Sequence, residues 1–488
     1  MYGFNSRIVC KTMFLRRCAM PVNSFEDYPL TWKPSKALLK FPMYISLSEL
    51  LEQDILSGRL PPKTKLPPQR ELADFLDVNL STITRAFKLC ETKGLIYAAV
   101  GSGTYVSPNA ALPNPDTQEE AEYIDLGPIK PYYQFNSIVA DTARAILQGP
   151  KSEKLFEFSF TLGTAHHKQV AQKWLAEFQI NAAMEDIILT SGTQNALAIA
   201  LLSLFRAGDK IATDTYTYSN FITLAKQLNI QLIPIEADGQ GMLPDALEKQ
   251  RKLHEIKGIY LMPSCTNPTG ITMPSERRKA ISQIISSQDM VLIEDDTYGF
   301  IADDKIPPMA TMIPAHTIYL HGISKSLSAG LRIAYLVFPH RFQKTFLNTA
   351  NNINLKIPLL NAEIASELIA GGAAREIIDK KCMLSEERGR LYTRYFPEQP
   401  PTNPYSFFRW LPLPAGCNGY NFEVQAKNHG VKVLCSDRFA VGNTAQFAAI
   451  RLATCSPRTM ADLENGLQII QTLIKENQTV IQREEFII

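Results

Sequence analysis

The sequence predicts two modules joined by an extended linker. Three short helices with a small hairpin occupy residues 44–106, and an α/β domain with a large, mostly parallel lobe and a smaller α+β lobe occupies residues 122–475. Three observations carry this reading. Apolar residues recur at helical spacing in three stretches ahead of two apolar triplets that flank a glycine turn. A proline-bearing run without periodicity follows, and beyond it apolar runs of strand length alternate with helical stretches.

Composition sets the outer bounds. A chain of 488 residues that is 45% hydrophobic and 20% charged supports more than one core and is not disordered throughout. A net charge of +2 leaves nucleic-acid and metabolite partners equally open, because affinity for DNA depends on where Lys and Arg cluster. The 8 cysteines show no Cys-x-x-Cys spacing, which argues against zinc or a disulfide framework and for a reducing compartment. No metal is expected. No apolar run approaches the roughly 18 residues of a membrane span, so a cytoplasmic protein without a membrane partner is expected. Residues 1–43 read as an N-terminal extension, 107–121 as the linker and 476–488 as a C-terminal tail.

In the first module, Leu47, Leu50, Leu51 and Ile55 form one helical stripe that ends at Ser57-Gly58. Pro67 and Pro68 lead into a second helix carrying Leu72, Phe75 and Leu76. A third begins beside Ser81 and Thr82, places Ile83, Phe87 and Cys90 on one face, and stops at Gly94. Two strands, around Ile96 and Tyr105, flank Gly101-Ser102-Gly103. That is the plan of a winged helix-turn-helix. A helix that reads the major groove needs short polar side chains and arginine at its start; here the first turn holds Asn79, Leu80, Ser81, Thr82 and Thr84. Arg70 opens the preceding helix, where it meets phosphate or a guanine edge, and Gly101 and Gly103 let the hairpin approach the minor groove. Ser81 and Thr82 also suit plain helix capping. Seven basic side chains balance seven acidic ones over residues 44–106, so a single module binds double-stranded DNA weakly and a homodimer on its operator is expected.

In the second module, five motifs each follow a strand. Ser191-Gly192-Thr193-Gln194 opens a helix whose free N–H groups suit a phosphate dianion. Tyr218 follows the next strand, Asn267 lies in Asn267-Pro268-Thr269-Gly270, and Asp295 and Tyr298 end a fourth strand. Ser324 and Lys325 follow a fifth, with Arg332 just beyond. Together they supply what pyridoxal 5'-phosphate (PLP) demands. Lys325 is an amine for the aldehyde, and Asp295 keeps the ring nitrogen protonated. Asn267 and Tyr298 attend the ring oxygen, and Tyr218 is an aromatic to stack on the ring. Gly192, Thr193, Gln194, Ser324 and Arg332 make a phosphate cup.

The run LPPQRELADFLDVNLSTITRAF with the later GSGTYV resembles the GntR family of bacterial regulators. The resemblance implies DNA contacts at Arg70, Ser81 and Thr82, while Leu80, where many members carry Arg or Asn, departs from it. The series SGTQNAL, NPTG, EDDTY and SKSLSAGLR resembles the fold-type I aminotransferases, which implies Lys325 as the catalytic lysine and Arg451 as the partner of a substrate carboxylate. Both together resemble the MocR subgroup, in which an amino compound or PLP itself changes how a dimer holds DNA. The alternative is a working aminotransferase, converting an amino acid to a 2-oxo acid, that carries a DNA-binding domain; a PLP-free scaffold is disfavoured by intact Lys325 and Asp295. Phe158 stands where that fold usually has a tyrosine that reaches the neighbouring subunit's phosphate, and Gly322 stands where it usually has a hydroxyl. Both are expected to thin the cup. Tyr405-Ser406 replaces a glycine pair, and His166 and His167 read as surface or packing residues.

Overall fold

The computed structural model describes residues 30–99, 102–107, 123–150, 152–158, 162–303, 305–400, 402–442 and 447–485. Gly101, most of the linker and the outer parts of both termini lie outside them. The chain divides into two compact units, one up to Asn114 and one from Pro115.

The first unit is built on three helices, α1 (Met43–Leu56), α2 (Gln69–Leu76) and α3 (Leu80–Thr92), and a hairpin of β1 (Ile96–Ala99) and β2 (Gly103–Val106). Each helix turns one stripe inward: Leu47, Leu51 and Ile55 from α1, Leu72 and Leu76 from α2, and Ile83, Phe87 and Cys90 from α3 are all buried. The helix that sequence starts at Ser81 starts at Leu80. Its cap is Asn79, whose side chain accepts the Ser81 N–H at 2.9 Å, so the Ser81 and Thr82 hydroxyls are not the cap. The hairpin pairs Ile96 with Val106 and Tyr97 with Tyr105. Gly103 takes φ 120°, a backbone conformation that favours glycine. Residues ahead of α1 also join this unit: Trp32 is buried and donates from Nε1 to Asp54 at 2.8 Å, and Lys36 pairs with Asp77.

The second unit is centred on seven strands: β3 (Ile187–Thr190), β4 (Lys210–Asp214), β5 (Gln231–Ile235), β6 (Ile256–Leu261), β7 (Val291–Asp295), β8 (Thr317–Gly322) and β9 (Ala334–Val337). Their order across the sheet is β3-β9-β8-β7-β6-β4-β5. Every neighbouring pair is parallel except the two that involve β9, which runs antiparallel to both β8 and β3. The strands read as near-continuous apolar runs because both faces of the sheet are covered, one by a large core that includes Trp174 and Leu197, the other by Leu247, Ile281 and Ile285. The smaller lobe packs β10 (Arg409–Pro412), β11 (Leu434–Cys435) and β12 (Ala449–Leu452), with β12 central and antiparallel to both, against the helices Ala373–Tyr395 and Gly419–Asn428. Among the described residues no helix is long and apolar enough to cross a membrane.

Candidate functional site

The sheet order explains how scattered motifs meet. Strands β3, β8, β7, β6 and β4 all end at one edge, and the antiparallel β9 begins there. Thr193, Lys325, Asp295, Asn267 and Tyr218 therefore arrive from strand ends, while Arg332 arrives from a strand start. Ligand sites of parallel sheets gather at such an edge.

At its centre lies Lys325. Its Nζ donates to the Ile129 carbonyl at 2.6 Å, and burial pulls its pKa down to about 8, so a useful fraction of free amine exists near neutral pH. Asp295 is buried at the end of β7. It accepts from the Thr297 hydroxyl at 2.6 Å and the Tyr260 hydroxyl at 3.0 Å, and burial pushes its carboxyl up to about 6. Arg451, buried on β12, donates from one terminal nitrogen to Asn267 Oδ1 at 2.8 Å and from the other to the Gly127 carbonyl at 2.7 Å. Because a guanidinium only donates, this contact orients the Asn267 amide and leaves its Nδ2 as a donor. Tyr298 is buried against Phe407 and Phe408; Tyr218 is half-buried, with its hydroxyl lowest in energy as the neutral phenol.

On the opposite side, the helix Thr193–Leu204 starts after Gly192, which has φ 87°. A Cβ there would lie 2.8 Å from the Arg332 guanidinium, so glycine lets the arginine come down on the N-terminal turn of that helix. Ser324, next to Lys325 in sequence, is buried, and Gln194 Oε1 is buried with no hydrogen-bond partner among the described residues. Backbone N–H groups, two hydroxyls and a guanidinium at a helix start are the donor set of a phosphate dianion. The residues present thus fit PLP at its aldehyde, ring nitrogen, ring oxygen and phosphate.

One sequence expectation is corrected. Gly322 does not simply thin the cup: a Cβ at this position would sit 2.1 Å from Thr193 Oγ1, so the Thr193 hydroxyl occupies the space that a side chain at 322 would need. Phe158 is exposed, with the Lys356 ammonium 5.9 Å from its ring. Ser406 is buried and donates to the Phe408 carbonyl, whereas Tyr405 is exposed. His167 is buried as half of a capping box with Thr164 and meets Glu363 at 2.7 Å; His166 is exposed. His166, Glu363 and Glu367 do bring three ligand-type atoms within 4.8 Å of one another.

Sequence reasoning missed several supports. Lys381 is buried and donates to the carbonyls of Lys325 and Leu327 at 3.0 and 2.7 Å, which fixes the loop that carries Lys325. It was detectable in principle, since it interrupts the buried stripe Ala374, Ile377, Ile378 and Ser385. Arg278 holds the carbonyls of Pro263 and Met273 on either side of the Asn267 loop. Tyr260, Thr297 and the carbonyls of Gly127 and Ile129 carry no local signal at all.

On the first unit, Arg70 and Ser81 are exposed and Thr82 is half-buried. The Thr84 hydroxyl is already engaged with Gln69 at 2.8 Å, and the Arg85 guanidinium lies 4.2 Å over the Tyr44 ring.

Comparison with known proteins gives the same two modules. Residues 44–106 match the gntR family of bacterial regulatory proteins, and residues 130–394 match aminotransferase class I and II. The uncharacterised HTH-type transcriptional regulator YdeF of Bacillus subtilis is 36% identical over 94% of this chain and 100% of its own. YjiR of Escherichia coli, another HTH-type transcriptional regulator, is 26% identical over 76% of this chain and 86% of its own. Among solved structures, an archaeal alanine:glyoxylate aminotransferase superimposes with a TM-score of 0.68 at 24% identity, over 73% of this chain and 92% of its own. LysN of Thermus thermophilus, an α-aminoadipate aminotransferase complexed with N-(5'-phosphopyridoxyl)-L-leucine, gives 0.67 at 22%, over 74% and 94%. These structures share the fold.

Proposed function

The chain belongs to the gntR-type HTH transcription regulators that carry an aminotransferase class I and II domain, and from that membership we propose that its second unit senses an amino compound at a PLP site and so changes how a homodimer holds operator DNA. The aminotransferase fold implies PLP; the assignment of Lys325, Asp295, Asn267, Tyr218, Tyr298, Gly192, Thr193, Gln194, Ser324 and Arg332 to it rests on the donor set described above. When bound, PLP supplies an electrophilic aldehyde on an electron-withdrawing ring. The chain's own groups do the rest. Lys325 offers the amine, Asp295 faces the ring nitrogen, and Asn267 donates through Nδ2 while Arg451 holds its Oδ1.

One observation carries the sensing role: the two cations that would meet cofactor and effector both hold the same stretch of backbone. Lys325 holds the Ile129 carbonyl and Arg451 the Gly127 carbonyl, only a few residues beyond the linker to the DNA-binding unit. An effector carboxylate that takes Arg451 in a bidentate pair displaces the Gly127 carbonyl. The stretch stays tied to the small lobe through Leu126 to Lys432 and Ala453 to Leu126, so the change is a local release. A ligand shifts an equilibrium only by its differential affinity for the two states, and this release is where the difference arises.

A homodimer is supported by apolar surface on the second unit. The helix Asn136–Gln148 buries no residue completely, and Tyr133, Leu147, Phe156 and Phe158 on or around it are exposed. Arg70, Ser81, Thr82, Gly101 and Gly103 are the residues we assign to DNA contact.

The competing reading, amino-acid to 2-oxo-acid turnover, draws support from the complete set of Lys325, Asp295, Tyr298 and Arg451 and from Thr193 filling the space beside Gly322. Absorbance titration of the purified holo-protein with a panel of amino acids, followed by operator binding with those that respond, tests the sensor. An amino acid that changes both the spectrum and the operator affinity supports it; spectral change without any change in operator affinity overturns it.

A further inference from the structure

Two helices of the second unit, Ala165–Ala176 and Leu359–Ala370, bring together a histidine and two glutamates that the PLP site does not use. His166 stands in the first turn of the one; Glu363 and Glu367 stand a turn apart on the other. One ligand-type atom from each, an imidazole nitrogen or a carboxylate oxygen, lies within 4.8 Å of the other two. His166 and Glu367 are exposed and Glu363 is half-buried, so a dissolved ion can reach all three.

Three features set this cluster apart from an ordinary charged surface. The two glutamates are like charges four residues apart on one helix, an arrangement that costs helix stability. Among the described residues neither pairs with a Lys or Arg; Glu363 meets only His167, and the carboxylate of Glu367 and the ring of His166 have no hydrogen-bond partner. One carboxylate is also held from behind. The buried His167 accepts the Thr164 N–H on Nδ1 at 3.3 Å, so its Nε2 carries the hydrogen and donates to Glu363 Oε2 at 2.7 Å. That bond orients the carboxylate and leaves Oε1 free to face a further partner, which is how metal-binding carboxylates are held by an outer group. Finally, the capping box between Thr164 and His167 fixes the turn from which His166 projects.

We propose that His166, Glu363 and Glu367 form a site for a divalent transition-metal ion of zinc's class, which clips the two helices together. An imidazole with two carboxylates is a zinc donor set, and a water from solvent completes the tetrahedron. Magnesium and calcium, which prefer a fuller shell of oxygens, are poorly served by it. Zinc bonds of about 2.0–2.2 Å set neighbouring ligand atoms about 3.4 Å apart, so atoms already within 4.8 Å close on the ion through side-chain torsions alone. The charge of the ion offsets the repulsion between the glutamates. The spacing of the cysteines argues only against a thiolate site, and this one uses none. The helix Leu359–Ala370 also holds the Leu331 carbonyl through Asn361 at 2.9 Å, which places the clip on an element that braces the loop after Lys325. The proposal does not depend on PLP binding or on effector sensing.

The test uses the full-length protein, stripped of metal by dialysis against a chelator, and zinc chloride alone as the probe. Calorimetry should show saturable binding of one ion per chain with Kd in the micromolar range or tighter, undiminished by an excess of magnesium. Zinc should raise the unfolding midpoint of the second unit, because an ion that binds only the folded chain stabilises it. His166→Gln and Glu367→Gln each remove one exposed ligand and little packing, so both variants should fold. Each should weaken zinc by at least about 100-fold, the upper end of what loss of an outer partner costs, and abolish the shift of the midpoint. Absence of saturable binding, competition by magnesium at equal concentration, or equal zinc affinity in the wild type and both variants would each overturn the proposal; the last would place the ion on other ligands, such as the partly buried Cys382 and Cys417.

Discussion

The two units keep the side chains proposed to work in them in opposite environments. On the first, Arg70 and Ser81 stand exposed on helices whose inner faces make the core. On the second, Asp295 is buried at the end of β7 and Arg451 within β12, and Lys325 is only partly accessible. A surface that reads DNA gains from groups already hydrated and free to meet a partner, and their removal costs the fold little. A site that holds a reactive cofactor gains from desolvation, which moves Lys325 down to about 8 and Asp295 up to about 6. Buried groups in turn depend on neighbours such as Lys381, Tyr260 and Thr297, so this second site is fixed by packing in a way the first is not.

The sharpest test of that contrast is Lys325→Ala. Absorbance from bound PLP should be lost, and borohydride reduction, which in the wild type places the pyridoxyl group on the Lys325 peptide, should label nothing. Effector-free operator binding should persist. A label on another lysine would remove Lys325 from its role. In wild-type apo-protein, PLP loading should accelerate as pH rises through about 8, because the depressed pKa of Lys325 yields free amine above that value; a rate that keeps climbing only near pH 10 would show an unperturbed lysine.

Arg451→Gln should come next in size. It removes the partner of an effector carboxylate and frees the Gly127 carbonyl, so affinity for amino acids should fall by about 2–5 kcal/mol while affinity for decarboxylated amines changes little. Equal losses for both classes would mean that Arg451 is purely structural. Turnover bears on the same residues: if sensing is the main task, conversion of amino acid and keto acid stays well under about 1 per second, the lower end of ordinary enzyme rates, and faster steady turnover would favour the enzyme.

Smaller effects belong to the exposed unit. Arg70→Ala should weaken operator binding by roughly 1–3 kcal/mol if it reads a base, or chiefly flatten the salt dependence if it meets phosphate, with PLP absorbance intact. The smallest separates capping from contact. Asn79→Ala should cost about 1 kcal/mol of stability in the first unit, since Asn79 caps α3, whereas Ser81→Ala should leave the unfolding midpoint unchanged and lower operator affinity. A stability loss at Ser81 instead would return it to a capping role.

Sequence alone determined whatever depends on local spacing. The helical stripes of α1 to α3, the glycine-turned hairpin and the five strand-end motifs around Thr193, Tyr218, Asn267, Asp295 and Lys325 are each contained in a few consecutive residues, so their periodicity and chemistry are written in the chain. Only the tertiary structure decided how these pieces face one another. Strands pair as β3-β9-β8-β7-β6-β4-β5 rather than in chain order, and β9 runs backwards, which brings Arg332 to the site from the start of a strand. The same packing sets Thr193 against Gly322, Lys381 under the Lys325 loop, and Gly127 and Ile129 against two cations. Such contacts join residues far apart in the chain through side-chain volume and buried hydrogen bonds. No window along one sequence contains both partners.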